Sequence, residues 1–280
     1  VLGAFVTLLR EAFEASLLVA IVLAYLAKIG HREGFRAVWG GVGVAIGLSL
    51  AVAGVLFATA SELEGASEKI FEGSAMLVAV AVLTYMVLWM RRESRTISST
   101  LREGVDAAVR KGSSLALGLL VFTMVLREGI ETGLFVFGIT QTSTPLQVAI
   151  GSVAGLGAAV ALGYAVYAGG RRINLSAFFR YTGGFLILVA AGLLAQAARA
   201  FEEAGTIPAI LYPLWDLTGA PVVGMGTFFT TVFGSVFGWD PKPDLLEFLV
   251  WAVYLLGVGY AFLRPHREKS AAPRAAEAGE

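Results

Sequence analysis

The 280-residue sequence contains no cysteine. That excludes disulfides, thiolate metal sites and cysteine nucleophiles together. Histidine is nearly absent: His31 and His266 sit in basic flanks, away from the apolar runs. Imidazole is therefore not available inside those runs as a ligand or a base. Charge is scarce as well. Only 15% of residues are charged, against about 25% in a soluble domain. The 21 basic residues balance the 21 acidic ones, so net charge offers no bulk attraction for nucleic acid. There is no G-x-x-x-x-G-K-[ST] string and no soluble nucleotide domain, so nothing this chain does is driven by ATP through this chain alone.

What is present is mostly apolar: 57% of residues are hydrophobic and the mean hydropathy is +0.76. Seven runs are long enough, or nearly so, to cross about 30 Å of hydrocarbon. They lie near residues 2–28, 37–60, 70–90, 114–138, 146–169, 181–201 and 245–263. The first has no basic n-region and no small-residue cleavage site, and reads as a span rather than a signal peptide. Glycine is abundant, at 34 residues. Gly40, Gly43, Gly47, Gly151, Gly155 and Gly157 are assigned to close helix packing in lipid.

The loops set the orientation. Lys28, Arg32 and Arg36 lie in one; Arg91, Arg92, Arg95, Arg102, Arg110 and Lys111 in a second; Arg171, Arg172 and Arg180 in a third. The tail adds Arg264, Arg267, Lys269 and Arg274. These alternate with loops that carry only Lys69, no basic residue, and Lys242. By the positive-inside rule the N-terminus is outside and the C-terminus in the cytoplasm.

Two short strings inside the apolar runs stand apart: Arg10-Glu11-Ala12-Phe13-Glu14 and Arg127-Glu128-Gly129-Ile130-Glu131. Each is R-E-x-x-E. At about 100° per residue, the arginine and both glutamates of each string fall on one helix face. A charge at mid-bilayer costs about 2.5–3.5 kcal/mol on insertion scales. Six such groups at matched depth therefore point to function. Arg10 with Glu14 and Arg127 with Glu131 are also i, i+4 pairs, and an internal salt bridge would account for one glutamate in each string. It leaves Glu11 and Glu128 without a role.

The paired strings imply an internal repeat. Arg10 corresponds to Arg127, and Phe71-Glu72-Gly73 loosely to Tyr181-Thr182-Gly183. Three spans is an odd number, so the two halves insert with opposite topology, as in many secondary transporters. The expected fold is an all-α polytopic membrane protein of seven transmembrane helices, an inverted 3+3 repeat plus a seventh helix, N-out and C-in. Residues 1–90 form the first repeat with an outer acidic loop, and 91–112 a cytoplasmic basic loop. Residues 113–201 form the second repeat, and 202–244 a long outer loop, interfacial or re-entrant. Residues 245–263 are the seventh span and 264–280 a disordered cytoplasmic tail.

Four carboxylates against two guanidinium groups make a cation site with partial neutralisation built in. Carboxylate oxygens are hard ligands that suit Mg, Mn, Ca and iron ions. Met124, one turn before Glu128, adds at most one thioether. A second acidic set, Glu62, Glu64, Glu68 and Glu72, lies at the outer mouth of the third span. It reads either as an electrostatic funnel for cations or as a solvated loop. Glu72 is the strongest of these because it begins an apolar run. Glu202, Glu203, Asp216, Asp240 and Asp244 add further outer acidity.

On these residues the chain resembles the oxidase-dependent iron permeases, whose members include fungal high-affinity and bacterial Efe-type permeases. The resemblance covers nearly the whole length. Leu9-Arg10-Glu11-Ala12-Phe13-Glu14-Ala15 is similar to the family's R-E-G-L-E opening, with Ala12 and Phe13 in place of Gly and Leu. Phe71-Glu72-Gly73, Trp89-Met90, Leu214-Trp215-Asp216 and Gly238-Trp239 ahead of Pro241 and Pro243 extend it. The resemblance implies iron uptake across the plasma or bacterial inner membrane, with Glu11, Glu14, Glu128 and Glu131 as ligands and Arg10 and Arg127 as charge-balancing groups. Iron, ferric or ferrous, is then cargo, and no tightly bound cofactor is expected. It also implies a separate outer partner: a multicopper oxidase, or a periplasmic iron-binding protein with a haem peroxidase. Two other readings stay open. One is a proton-coupled transporter of another hard cation, Mn or Mg. The other is a membrane di-iron enzyme, although such sites usually pair Glu-x-x-His strings and no histidine lies near either motif.

Overall fold

The structure, a computed structural model, describes residues 1–93, 97–110, 112–141, 143–168, 175–227, 230, 233–234 and 237–264. The basic residues Arg95, Lys111, Arg171 and Arg172 and the tail beyond Arg264 lie outside the described residues. Among the described residues the protein is all-helical, with eight α-helices. They are α1 (Leu2–Lys28), α2 (Phe35–Glu62), α3 (Ala66–Glu93), α4 (Ile97–Arg110), α5 (Ser114–Thr140), α6 (Pro145–Tyr167), α7 (Leu175–Glu203) and α8 (Leu245–Leu263).

Local chemistry sets several ends. Ser113 and Thr144 cap α5 and α6 by accepting from Ala116 N and Gln147 N, and Pro145 opens α6, where its missing N–H costs nothing. Asp244 and Glu247 close a reciprocal capping box on α8. Gly30 ends α1 in the left-handed region, at φ 80°, a conformation that favours glycine.

Among the described residues, five stretches are long and apolar enough to cross a membrane: Arg32–Glu62, Ala66–Met90, Pro145–Tyr167, Ala177–Glu203 and Leu245–Leu263. The other two long helices, α1 and α5, are 27 residues each, or about 40 Å. Both carry an R-E-x-x-E string. Their charge sets them apart from the other five, and their length does not.

The segment 91–112, expected as a basic loop, contains α4. The reason is a short apolar face: Leu101, Val105 and Ala108, spaced i, i+4 and i+7, are buried, while Arg102, Glu103 and Arg110 are exposed. That face packs with Leu23, Leu26, Leu117 and Val121 of α1 and α5. The Tyr25 hydroxyl donates to Asp106 Oδ1 at 2.6 Å.

The principal pairings are α1 with α6, α2 with α5, α3 with α7, α7 with α8, and α1 with α5. Small residues permit them. On α6, Gly151, Gly155, Ala159 and Gly163 are buried at four-residue spacing. A Cβ on Gly151 would lie 3.0 Å from Phe5 N of α1, and one on Gly155 would lie 2.9 Å from Leu9 N. Gly41, Ser49 and Ala53 of α2 meet Gly118, Gly129 and Gly133 of α5 in the same way. The packing role assigned from sequence thus holds for Gly151 and Gly155. It does not hold for Gly40, Gly43, Gly47 and Gly157, where an added Cβ would meet nothing within 4 Å. Those four lie on the outward faces of α2 and α6.

The 202–244 segment returns to the helices. Gly238 lies against Gly192 of α7, where a Cβ on Gly192 would be 2.6 Å from Gly238 N. That contact is about 16 Å along α7 from its end at Glu203. The Phe237 ring meets Phe185 at 5.7 Å, and Trp251 of α8 donates to the Phe237 carbonyl at 2.9 Å.

Candidate metal centre

The two charged strings meet where α1 and α5 pack together. Arg10, Glu11, Glu14, Glu128 and Glu131 are all buried. Glu11, Glu128 and Glu131 each present a carboxylate oxygen, and these three oxygens lie within 4.8 Å of one another. Glu14 is outside this triad. It pairs with Arg10 and faces a neighbouring cavity.

Close approach brings a third helix, α2, beside this meeting point. Gly129, inside the second string, lets α2 bring Ser49 against α5. Ser49 sends its hydroxyl back to the Ala45 carbonyl at 2.8 Å. It satisfies itself within α2 and leaves the carboxylates without a hydrogen bond from it.

The two arginines are not equivalent. Arg10 is 1% exposed and lies 3.2 Å from both Glu11 Oε1 and Glu14 Oε1. Its Nη1 also donates to Met86 Sδ at 3.6 Å. Arg127 is 38% exposed and donates from Nε to Glu131 Oε1 at 2.8 Å, with Glu128 Oε1 farther off at 3.9 Å. Its guanidinium lies 4.9 Å over the Trp89 ring. The i, i+4 salt bridges expected from the spacing are therefore present. They leave free capacity: Glu11 Oε2, Glu128 Oε2 and Glu131 Oε2 are buried without a hydrogen-bond partner.

Two of the carboxylates, Glu14 and Glu128, border a cavity of about 170 Å³. Glu14, Glu128 and Arg127 contribute its polar wall; Leu101 of α4 and Trp89 and Met90 of α3 help to close it. Toward the other end of α5 the space is filled by aromatic rings. Phe137 is 1% exposed and meets Phe57 at 5.2 Å and Phe71 at 6.1 Å.

Glu72 is not brought to the triad. It lies 14 positions before Met86 on α3, about 21 Å along the axis. There it forms a 2.9 Å ion pair with Lys69, which is also 3.7 Å from Glu203. Glu62 ends α2, Glu64 lies in the turn, and Glu68 begins α3; the first two are exposed and the third half-buried. Beside them Arg199 pairs with Asp240, and with Glu203 at 3.1 Å. Asp244 caps α8 and accepts from Ile210 N as well. Asp216 accepts from Thr218 Oγ1 and N, and these bonds hold its carboxyl below the usual range. Glu202 is half-buried.

Sequence reasoning gave no role to Met86 or Asp106, and used Trp89 only as part of the family resemblance. Met86 and Trp89 sit at i, i+3 on a helix whose middle is apolar all round, so no charge marked the face they share. Asp106 looked like one more polar residue in a basic loop until α4 gave it a partner.

Known proteins resemble this chain along nearly its full length. Residues 1–266 match the sequence profile of the iron permease FTR1 family. The chain is 36% identical over 274 residues to the ferrous iron permease EfeU of Shigella sonnei (strain Ss046), covering 97% of this chain and 99% of that one. It is 36% identical over 272 residues to the protein of that name from Escherichia coli O6:H1, covering 96% and 98%. For the Yersinia pestis protein of that name the identity is 35% over 274 residues, covering 97% and 96%. No solved structure matches the chain.

Proposed function

The chain belongs to the iron permease FTR1 family and is an iron permease; from that premise we propose that Glu11, Glu128 and Glu131 hold the iron ion in transit and that Glu14 receives it next. One observation carries the reading. Three buried carboxylates from two helices converge within 4.8 Å, each with an oxygen that has no partner. Buried carboxylate oxygens are costly unless a cation neutralises them. Oxygens around one first-row divalent ion lie at most about 4.4 Å apart, given bonds near 2.2 Å. Closing the remaining few tenths of an ångström needs only side-chain adjustment.

The same reading extends to the scaffold. Seven helices span the membrane, N-out and C-in, as two inverted three-helix repeats and α8. The pairings support the repeat. If α1, α2 and α3 correspond to α5, α6 and α7, then the α1–α6 pair maps onto the α5–α2 pair, and α3–α7 and α1–α5 map onto themselves. The acidic residues Glu62, Glu64, Glu68 and Glu72 then lie outside, at the approach. The cavity beside Glu14 and α4 opens toward the cytoplasm, and residues 202–244 form a re-entrant outer segment. The membrane is the plasma or bacterial inner membrane, and a separate outer protein delivers the iron. Ferrous iron is the proposed cargo, in keeping with the similar EfeU proteins, which are named ferrous iron permeases.

The test is radio-iron uptake by the purified protein in liposomes, with ferrous and ferric iron each held chemically. Ferrous uptake that a tenfold excess of magnesium leaves intact, and that Glu128→Gln abolishes, is expected. Uptake unchanged in Glu128→Gln would overturn the site. Manganese or magnesium transport in preference to iron would overturn the cargo.

A further inference from the structure

The two strings look equivalent in sequence, yet their arginines are held by different partners on one face of α3. Met86 takes Arg10, and Trp89, one turn on, takes Arg127. Arg10 is enclosed on every side. Arg127 borders the cavity, and it is the only cation in that wall among the described residues. The cavity wall also contains Trp89 and the carboxylates of Glu14 and Glu128.

We infer that Trp89 is a positioning residue for iron transport: its ring face holds the Arg127 guanidinium when an iron ion takes over Glu128 and Glu131. This inference rests on the proposed carboxylate site. The physical reason is charge exchange. A divalent ion on the free Oε2 atoms of Glu128 and Glu131 draws off the negative charge that holds Arg127 to their Oε1 atoms at 3.9 and 2.8 Å. The loosened guanidinium then stands beside a cavity whose wall, apart from the Glu14 and Glu128 carboxylates, is apolar, with Leu17, Leu18 and Leu101. A bare cation there is unfavourable. An indole face within about 6 Å is attractive, more so where water is scarce, and Trp89 is already at 4.9 Å. When the ion leaves through the cavity, Arg127 returns from the ring to Glu131 and restores the balance of charge. The ring thus lowers the cost of loading, and the return of the guanidinium keeps the emptied site from recapturing the ion.

The test is a double-mutant cycle on the full chain, purified in detergent, read by equilibrium binding of ferrous iron under anaerobic conditions and by liposome uptake. Trp89→Leu keeps an apolar side chain and removes the ring quadrupole. It is expected to weaken iron binding by about three- to tenfold, the scale of a partly exposed cation–π contact. Trp89→Phe, which keeps a ring face, is expected to recover most of that loss. In an Arg127→Gln background there is no guanidinium to hold, so Trp89→Leu is expected to change iron binding less than about twofold. A loss of about three- to tenfold that persists in the Arg127→Gln background would show a merely structural role and overturn the inference. So would unchanged binding in Trp89→Leu. If Glu128→Gln binds and transports iron normally, the carboxylate site itself has failed, a result separate from either Trp89 outcome.

Discussion

The Ser49 side chain of α2 occupies the space that a side chain at Gly129 of α5 would need. A Cβ at position 129 would lie 2.7 Å from Ser49 Cβ, far inside contact distance. The two helices can be this close only because position 129, next in sequence to Glu128, is glycine. Gly129→Ala should therefore push α2 from α5 and cost about 1–3 kcal/mol, as overpacked sites do. The expected outcome is a lower yield of monodisperse protein and reduced iron uptake, with partial recovery in Gly129→Ala, Ser49→Gly. An undiminished Gly129→Ala single mutant would show that the contact is easily relieved.

Replacing Glu11, Glu128 or Glu131 by glutamine preserves shape and removes a charged ligand of the proposed site. Each change should lower uptake by more than about tenfold, the least that losing a metal contact costs. Insertion should remain normal, since removing a charge from the membrane is easier than adding one. Glu14→Gln should spare equilibrium iron binding more than the other three do, because Glu14 lies outside the triad and faces the cavity. Binding isotherms for the four variants decide the matter.

Arg10 holds two carboxylates at 3.2 Å in a buried setting. Arg10→Ala should leave an excess of negative charge that only a cation offsets. Without metal the variant should melt lower than the wild type, and added manganese should raise its melting temperature more than it raises the wild type's, because a ligand that binds the native state stabilises it. Transport should be lost while metal binding persists. If Arg10→Ala, Glu14→Gln restores both stability and uptake, the pair is a plain salt bridge with no part in handling the ion.

How much of this was legible in the sequence depended on charge. Charged residues in apolar surroundings announce themselves, so both strings and their meeting could be read from spacing and depth. The matched faces of Glu11 and Glu128 were a matter of helical period. Glu14 could not be separated from its three companions, because its turn toward the cavity depends on how α1, α3 and α5 cross. Trp89 and Met86 were hidden for a related reason. An aromatic or thioether in an apolar helix looks like core until a cation is seen against it. Helix α4 was missed because its apolar face, Leu101, Val105 and Ala108, is only three residues wide and sits among basic ones.

At the approach, Lys69 occupies Glu72 at 2.9 Å. Glu68→Gln with Glu72→Gln should raise the apparent KM for iron about two- to threefold at low salt, and less at higher salt, because exposed charges are screened over about 10 Å at 0.1 M. Lys69→Gln should act in the opposite direction by freeing Glu72 for the incoming cation. Uptake curves at two ionic strengths test both, and an unchanged KM in every variant would make this a solvated acidic surface.

The absence of cysteine makes topology simple to map. A cysteine placed at Ser98, in the first turn of α4, should resist a membrane-impermeant thiol reagent in intact cells and react after permeabilisation. One placed at Glu64 should react in both. Labelling of position 98 from outside would reverse the proposed orientation.

The unequal arginines also bear on kinetics. A site with true twofold symmetry would meet an ion arriving from either face in the same way. Here one side offers a guanidinium locked against a methionine sulfur, and the other a guanidinium resting on an indole at the edge of a cavity. Opposed iron gradients of equal size should therefore drive flow at different maximal rates. Net direction still belongs to the gradient. For uncoupled flow the ratio of maximal rate to half-saturation must match in both directions, so the faster direction is also the one that saturates later. Broken symmetry at a single pair of side chains would make the permease a rectifier of rate without making it a pump.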